Sequence, residues 1–146
     1  LWRQDGARAY IGTMIPGFPN FFMIYGPNIT PFFSGLGMIE MEELATRFAM
    51  QCIEALILDE HRTIDVKPEA YYAYNAELDR REKTKAYLDP RVDNAFKNSF
   101  GRSAINCPFD VRLMWQWWRD PTGANGATDK ADPLIRPYLG EDLLVE

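Results

Sequence analysis

The chain has 146 residues, of which 47% are hydrophobic and 25% are charged, a balance typical of one globular domain. Its net charge of −5 offers no basic surface for a phosphate backbone, which argues against nucleic acid as a partner. The longest apolar runs are far shorter than the roughly 20 residues that cross a bilayer, so no membrane span is predicted. We expect a cytoplasmic protein. The chain starts with Leu1 rather than Met, which suggests an excerpt of a longer polypeptide.

The cysteines and the histidine do not form a metal-site pattern. Cys52, Cys107 and His61 are the only residues of these two types, and their spacing matches no zinc motif. Cys52 falls within an apolar helical pattern, which is typical of a small buried hydrophobic residue. A disulfide between the two cysteines stays open, although nothing in the spacing favours it. We therefore predict no metal ligand and no catalytic residue in this chain.

Residues 20–25 form a continuous apolar and aromatic run that ends at a Gly-Pro-Asn turn. A short run without alternation, bounded by turn residues, is typical of a strand buried on both faces of a parallel sheet. One such strand cannot build a sheet, so its neighbours are expected to come from the remainder of the same polypeptide. The predicted fold class is an incomplete α/β unit that is mostly helical and carries an orphan buried strand.

Helical periodicity follows this run. Apolar residues recur at three- and four-residue steps over residues 37–58, and glutamates crowd the first turns, where negative charge suits the helix dipole. Residues 63–66 are predicted as a short strand. Pro68 suits the first position of a second helix, which is predicted to run to about residue 88.

The last predicted helix, over residues 109–119, carries three closely spaced tryptophans. They are Trp115, Trp117 and Trp118, and they follow a segment at residues 94–107 that is predicted to be irregular. We interpret the tryptophans as a helix-packing or interface element rather than a substrate cage.

Residues 16–28 carry a motif of known type. This string resembles the final FAD-domain strand of flavin-containing and Baeyer–Villiger monooxygenases, and it is most similar to the 4-hydroxyacetophenone type. The likeness extends over most of residues 7–119. The matching pieces are Pro16-Gly17-Phe18-Pro19-Asn20-Phe21-Phe22-Met23-Ile24-Tyr25-Gly26-Pro27-Asn28, Ala9-Tyr10-Ile11-Gly12, Glu42, Gly101-Arg102 and Asn106-Cys107-Pro108-Phe109.

The resemblance implies the C-terminal segment of a flavoprotein with two dinucleotide-binding domains. Residues 1–60 would end the FAD-binding domain, and residues 61–146 would form a helical extension packed on the cofactor and substrate domains. The implied full-length enzyme uses FAD, NADPH and O₂ to insert one oxygen atom next to a ketone carbonyl or onto a soft heteroatom. A flavin-dependent pyridine-nucleotide reductase and a stand-alone helical interaction domain are the alternatives.

Phosphate-binding loops are absent from the sequence. No Gly-x-Gly-x-x-Gly occurs anywhere in the chain, and neither does the family's Phe-x-Gly-x-x-x-His motif. We therefore expect this chain by itself to be inactive and to supply one wall of the flavin and substrate site.

Candidate site residues follow from the place of the motif. In open α/β sheets, ligands bind beyond the carboxyl ends of strands, where a loop leads into a helix N-terminus. The resemblance therefore implies cofactor-binding residues at Tyr25, Gly26, Pro27, Asn28, Leu36, Gly37, Met38 and Arg102, and a substrate pocket lined by Phe32, Phe33, Ser34 and Gly35.

Three of these assignments have alternatives. Without the resemblance, Gly26-Pro27-Asn28 is better explained as a plain strand-ending turn. The Phe32-Phe33 pair fits core or domain-interface packing as well as substrate contact. Arg102 either reaches a phosphate of the nicotinamide cofactor or forms a surface salt bridge.

Overall fold

The computed structural model describes residues 2–31, 36–119 and 143–146. Within these residues the chain is mostly helical, with one small sheet of two antiparallel strands in which Ile64 lies opposite Val145. The elements are α1 (Met38–Leu58), β1 (Ile64–Val66), α2 (Pro68–Glu82), a 3₁₀ turn (Ala86–Leu88), α3 (Val111–Arg119) and β2 (Leu143–Val145). The predicted long helix and the predicted short strand before Pro68 are confirmed.

The core contains residues of all three α-helices, and α1 packs against α3. α1 buries one face, and its buried residues are Met41, Ala45, Phe48, Ala49 and Cys52. Trp117 and Trp118 of α3 are each only 1% exposed, so the predicted packing role of the tryptophans is confirmed for these two. Residues before and after position 60 share this core, and the division at residue 60 stays a prediction.

α3 begins slightly later than predicted, because Asp110 caps it. The Asp110 carboxylate accepts the N–H of Arg112 at 2.8 Å, and its carbonyl accepts the N–H of Met114 at 3.1 Å. Such a carboxylate satisfies a helix-start N–H that has no partner within the helix.

α2 ends six residues before the predicted position. The Thr84 hydroxyl donates to the Arg81 carbonyl at 2.8 Å, next to the helix end at Glu82. Threonine hydroxyls that bond nearby carbonyls compete with the helical ladder, which explains the early stop. The chain then turns and forms the short 3₁₀ turn Ala86–Leu88.

The prediction of a buried strand at residues 21–25 was wrong. None of these residues lies in a strand, only residues 24 and 25 lie in a turn, and Phe21 and Tyr25 are 47% and 39% exposed. Phe22 packs inward against Phe48, with their ring centroids 6.3 Å apart. Among the described residues no strand lies beside this run, so its backbone is satisfied differently: the Met23 N–H donates to the Thr13 carbonyl at 2.8 Å. A run of apolar residues without a regular spacing indicates that other parts of the protein pack against it on several sides. It does not specify a strand.

Candidate functional site

The first part of the motif, residues 16–20, docks on β1. The Gly17 N–H donates to the Asp65 carboxylate at 2.8 Å. The Asn20 side chain donates to the Arg62 carbonyl and accepts the Ile64 N–H, each at 3.0 Å. Asn20 has a φ of 61°, a left-handed conformation that asparagine tolerates better than most residues. These bonds give residues 16–20, the lead-in residues of the motif, a structural role.

Gly26 lies at a close approach between two stretches of backbone. A Cβ at this position would overlap the Gly12 carbonyl oxygen and would lie 3.1 Å from the Met23 Cβ. A side chain is therefore excluded by the chain's own backbone, whether or not a ligand lies beside the turn. Next to Gly26, the Tyr25 hydroxyl forms a 2.7 Å hydrogen bond with the Thr30 hydroxyl.

Asn28 faces the interior of the molecule. It is 1% exposed and has a φ of 57°. Its side-chain amide donates to the carbonyls of Ser103 at 2.9 Å and Asn106 at 2.8 Å, and its backbone N–H donates to the Ala104 carbonyl at 3.0 Å. Asn28 therefore fastens the turn to residues 103–106, and its side chain does not point to solvent.

An open, mainly apolar groove runs along the outer side of the turn. Its volume is about 400 Å³, which lies within the usual range for small-molecule sites. A groove of this composition suits the edge of a flat ring better than a charged phosphate. The lining residues are Trp2, Met23, Tyr25, Gly26, Pro27, Thr30, Ala104 and Ile105.

The start of α1 carries the second set of candidate residues. Gly37 is the N-cap and no side chain caps the helix, so its first N–H groups present a partly positive pole. Met38 is 62% exposed, and Leu36 packs against the core. The Glu40 carboxylate lies close to Gly37 and offsets part of this pole. The predicted substrate-pocket residues Phe32, Phe33, Ser34 and Gly35 lie outside the described residues.

Arg102 belongs to a partly buried network of ion pairs. Its side chain is 12% exposed, and its guanidinium lies 2.8 Å from the Asp79 carboxylate. It also donates to the Asp5 carbonyl at 3.3 Å. Asp79 binds Arg8 at 2.9 Å with its other oxygen, and Arg8 contacts Asp5 at 2.5 Å. The salt-bridge alternative for Arg102 is therefore present in the structure, although the pair is less exposed than expected.

Glu82 is the buried polar residue that the sequence analysis missed. It is 1% exposed, and burial raises its pKa to about 7. One of its oxygens accepts the Tyr87 hydroxyl at 3.4 Å and lies 3.5 Å from the Asn28 amide nitrogen. A signal was available: Glu82 follows Tyr71, Tyr74 and Leu78 at steps of three and four residues, which places it on the buried face of α2.

Metal and membrane sites are not found in the part of the chain that the structure describes. No group of His, Cys, Asp and Glu side chains there is arranged to hold a metal ion, and no helix there is long and apolar enough to cross a membrane. Cys52 and Cys107 are both free and buried, and burial raises the pKa of each thiol to about 12.

The chain is similar in sequence to two curated monooxygenases, although no family model matches it. It is 29% identical over 119 residues to an uncharacterized monooxygenase of Sinorhizobium fredii, covering 80% of this chain and 17% of that protein. It is 30% identical over 118 residues to an FAD-binding monooxygenase of Aspergillus niger, covering 76% of this chain and 18% of that protein. The chain thus spans less than a fifth of the length of these relatives.

Solved structures share the fold over almost the whole chain. Steroid monooxygenase bound to NADP superposes with a TM-score of 0.69 at 20% identity, over 96% of this chain and 23% of that one. The open form of cyclohexanone monooxygenase gives a TM-score of 0.67 at 16% identity, over 99% of this chain and 22% of that one. The fold comparison agrees with the predicted fold class, because the chain is mostly helical, carries a small sheet of two strands and matches only part of each of these monooxygenase structures.

Proposed function

We propose that this chain is a segment of a cytoplasmic FAD- and NADPH-dependent monooxygenase. The whole enzyme would insert one oxygen atom from O₂ into a ketone or onto a soft heteroatom, with aryl ketones as the first substrate class to test. The observation that carries the proposal is the sequence similarity to monooxygenases over 76–80% of the chain. One relative is named as FAD-binding, and the steroid monooxygenase neighbour was solved with NADP, which supports the choice of cofactors.

We assign the groove beside Tyr25, Gly26 and Pro27 as one wall of the flavin site. FAD, when bound, supplies the redox chemistry, and this chain holds and orients one edge of its ring. The apolar lining and the open shape of the groove support this role. The start of α1 at Gly37 and Met38 would place a partly positive pole near a ring carbonyl, which favours partial negative charge there. The phosphates of FAD would be held elsewhere, because the sequence lacks a glycine-rich loop.

The remaining candidate residues take two supporting roles. Asn28 holds the turn from the inside, Leu36 supports the start of α1 from the core, and Arg102 fixes the segment that follows it. Phe32, Phe33, Ser34 and Gly35 lie in the sequence between the groove residue Thr30 and the start of α1, and we propose that they contact the substrate.

The remainder of the polypeptide is the partner that we propose for the exposed apolar surface. Phe18 and Phe21 beside the turn are 46% and 47% exposed, and Met50 and Ile57 on α1 are 58% and 71% exposed. Apolar surface of this extent in a soluble protein usually marks a contact site. In a full-length enzyme, these residues would pack against the domains that carry the phosphate sites.

The activity is tested with the full-length protein that carries this chain. We expect NADPH oxidation and O₂ uptake to rise together when an aryl ketone or an aryl methyl sulfide is added. With isotopically labelled O₂, mass spectrometry should find one labelled oxygen atom in the product. NADPH oxidation that reduces a disulfide or a quinone instead, without labelled product, would favour the pyridine-nucleotide reductase.

The groove is tested by two matched substitutions in the same protein. Ile105 lines the groove and is 44% exposed, whereas Val92 lies outside it and is 45% exposed. Ile105→Arg places a charge against the flavin ring, so we expect FAD to bind at least about tenfold more weakly, equivalent to ~1.4 kcal/mol. Val92→Arg should leave the dissociation constant unchanged. Equal FAD affinity of the two variants would show that this groove is not the flavin wall.

A further inference from the structure

A cluster of polar side chains, all buried except one half-buried tyrosine, lies behind the candidate flavin turn. We call it the Asn28 clamp, and it consists of Asn28, Glu82, Tyr87, Ser103 and Asn106. The Ser103 hydroxyl accepts the N–H groups of Ile105 at 3.2 Å and Asn106 at 3.0 Å, so the partner segment of Asn28 is itself fixed. Glu82 reaches this cluster from the end of α2, 54 residues away from Asn28 along the chain. The clamp therefore joins three separate parts of the chain.

The clamp has more buried acceptor atoms than donor atoms without a partner. Within the described residues, the Oδ1 of Asn28, the Oε2 of Glu82 and the Oδ1 of Asn106 are buried and have no hydrogen-bond partner, against a single donor atom of the clamp, the Nδ2 of Asn106. Both amide hydrogens of Asn28 are already used by the carbonyls of Ser103 and Asn106. An ionised carboxylate would add only acceptors, whereas a protonated carboxyl adds one O–H donor. A proton on Glu82 supplies a donor that this cluster needs.

The charges around Glu82 do not offset its ionisation. Arg102 faces Glu82, but its guanidinium is already bound by Asp79. Burial is the largest influence on the pKa of Glu82, and it raises the pKa. The charge of Arg102 and the hydrogen bonds from Tyr87 and the Ser103 backbone lower the pKa, whereas the charge of Asp79 raises it. The Cys107 thiol also faces the carboxyl, and the side chains of Arg81 and Lys85 lie near that thiol.

We propose that Glu82, as a neutral carboxylic acid, is a positioning residue that holds the Asn28 clamp closed. Ionisation of Glu82, which is 1% exposed, adds a buried negative charge to the clamp, and this charge loosens the turn from residues 103–106. The consequence for flavin binding rests on the function proposed above. The opening of the clamp with rising pH does not, and it can be measured separately.

The test is amide hydrogen exchange in the full-length protein between pH 6 and 8.5, with Glu82→Gln as the permanently neutral variant. The reporters are the amides of Asn28, Thr30 and Cys107, which donate to the carbonyls of Ala104, Ile105 and Thr30. With a pKa of about 7 in the closed clamp against 4.5 when it opens, the opening constant rises about tenfold over this range. After correction for intrinsic exchange, protection should fall by that factor in the wild type and stay constant in Glu82→Gln. Glu69→Gln, on the exposed face of the same helix, should behave like the wild type.

The outcomes separate the two proposals. A wild-type protein without pH-dependent protection at these amides overturns the clamp, and so does a Glu82→Gln variant that keeps the wild-type dependence. The first of these results needs no variant, so it holds even if Glu82→Gln fails to fold. FAD titration of the same samples supports the flavin link if wild-type affinity falls with pH and Glu82→Gln affinity does not. If exchange depends on Glu82 while FAD binds at no pH, the clamp stands and the proposed function fails.

Discussion

Asn28 carries much of the stability of the turn, and Asn28→Ala measures how much. The substitution removes two buried hydrogen bonds of 2.9 and 2.8 Å and leaves the carbonyls of Ser103 and Asn106 without this donor. Each buried polar group that loses its partner costs about 1–3 kcal/mol. Alanine at a φ of 57° costs about 1 kcal/mol more. The sum, about 3–7 kcal/mol, is a large share of the ~5–15 kcal/mol that stabilises an ordinary domain.

The assay is urea unfolding of the 146-residue chain, followed by tryptophan fluorescence. Asn28→Gly separates the two causes, because glycine loses the amide but tolerates the backbone conformation; it should be about 1 kcal/mol more stable than Asn28→Ala. Asn20→Ala is the matched control, since Asn20 has a φ of 61° and two side-chain bonds but is exposed. If Asn28→Ala costs no more than Asn20→Ala, burial of the Asn28 amide does not stabilise the turn.

Three further predictions concern the core, the thiols and the cofactor. Trp117→Ala should destabilise the chain by ~3–5 kcal/mol in the same assay, because the indole ring is buried with its centroid 4.9 Å from that of Phe109. Trp115→Ala alters a side chain that is 40% exposed and should cost less than ~1 kcal/mol. Cys52 and Cys107 should resist a thiol reagent such as Ellman's at pH 8 in the native chain and both react in urea, and rapid native labelling would contradict their burial. The 146-residue chain should purify without flavin absorbance, because its sequence has no phosphate-binding loop. One equivalent of bound FAD would refute the interpretation that this chain forms only part of a flavin site.

The helix with a regular spacing of apolar residues, α1, was predicted correctly from the sequence. The apolar run without such a spacing was not. α1 was predictable because its buried residues recur at helical spacing over 21 residues. The run at residues 21–25 has no period, so its apolar character was compatible with a strand, a turn or an interface. The Met23 N–H of this run donates to the Thr13 carbonyl, and no local pattern reports such a contact. The end of α2 was mispredicted for a similar reason. The Thr84 hydroxyl donates to the Arg81 carbonyl next to the helix end, and the spacing of apolar residues does not report such a bond.

The sequence located the candidate turn, but it did not reveal the residues to which the turn is hydrogen-bonded. The carbonyl partners of Asn28 lie 75 and 78 residues further along the chain. A pairing over that distance depends on how α2 and the following segment pack, which composition and spacing do not reveal. The choice between a phosphate and a carboxylate for Arg102 was open for the same reason, since Asp79 lies 23 residues before it.

The structure divides the motif at residues 16–28 into parts with different tasks. The lead-in residues bind β1 through Gly17 and Asn20, and the last residue, Asn28, binds the segment at 103–106. Neither anchor lines the groove, to which the motif contributes Met23 and the short outer stretch from Tyr25 to Pro27. Changes to the anchors should therefore alter stability first and ligand contact only through the position of this stretch. A direct change in contact requires a substitution on the groove wall, such as Ile105→Arg, which leaves both anchors in place.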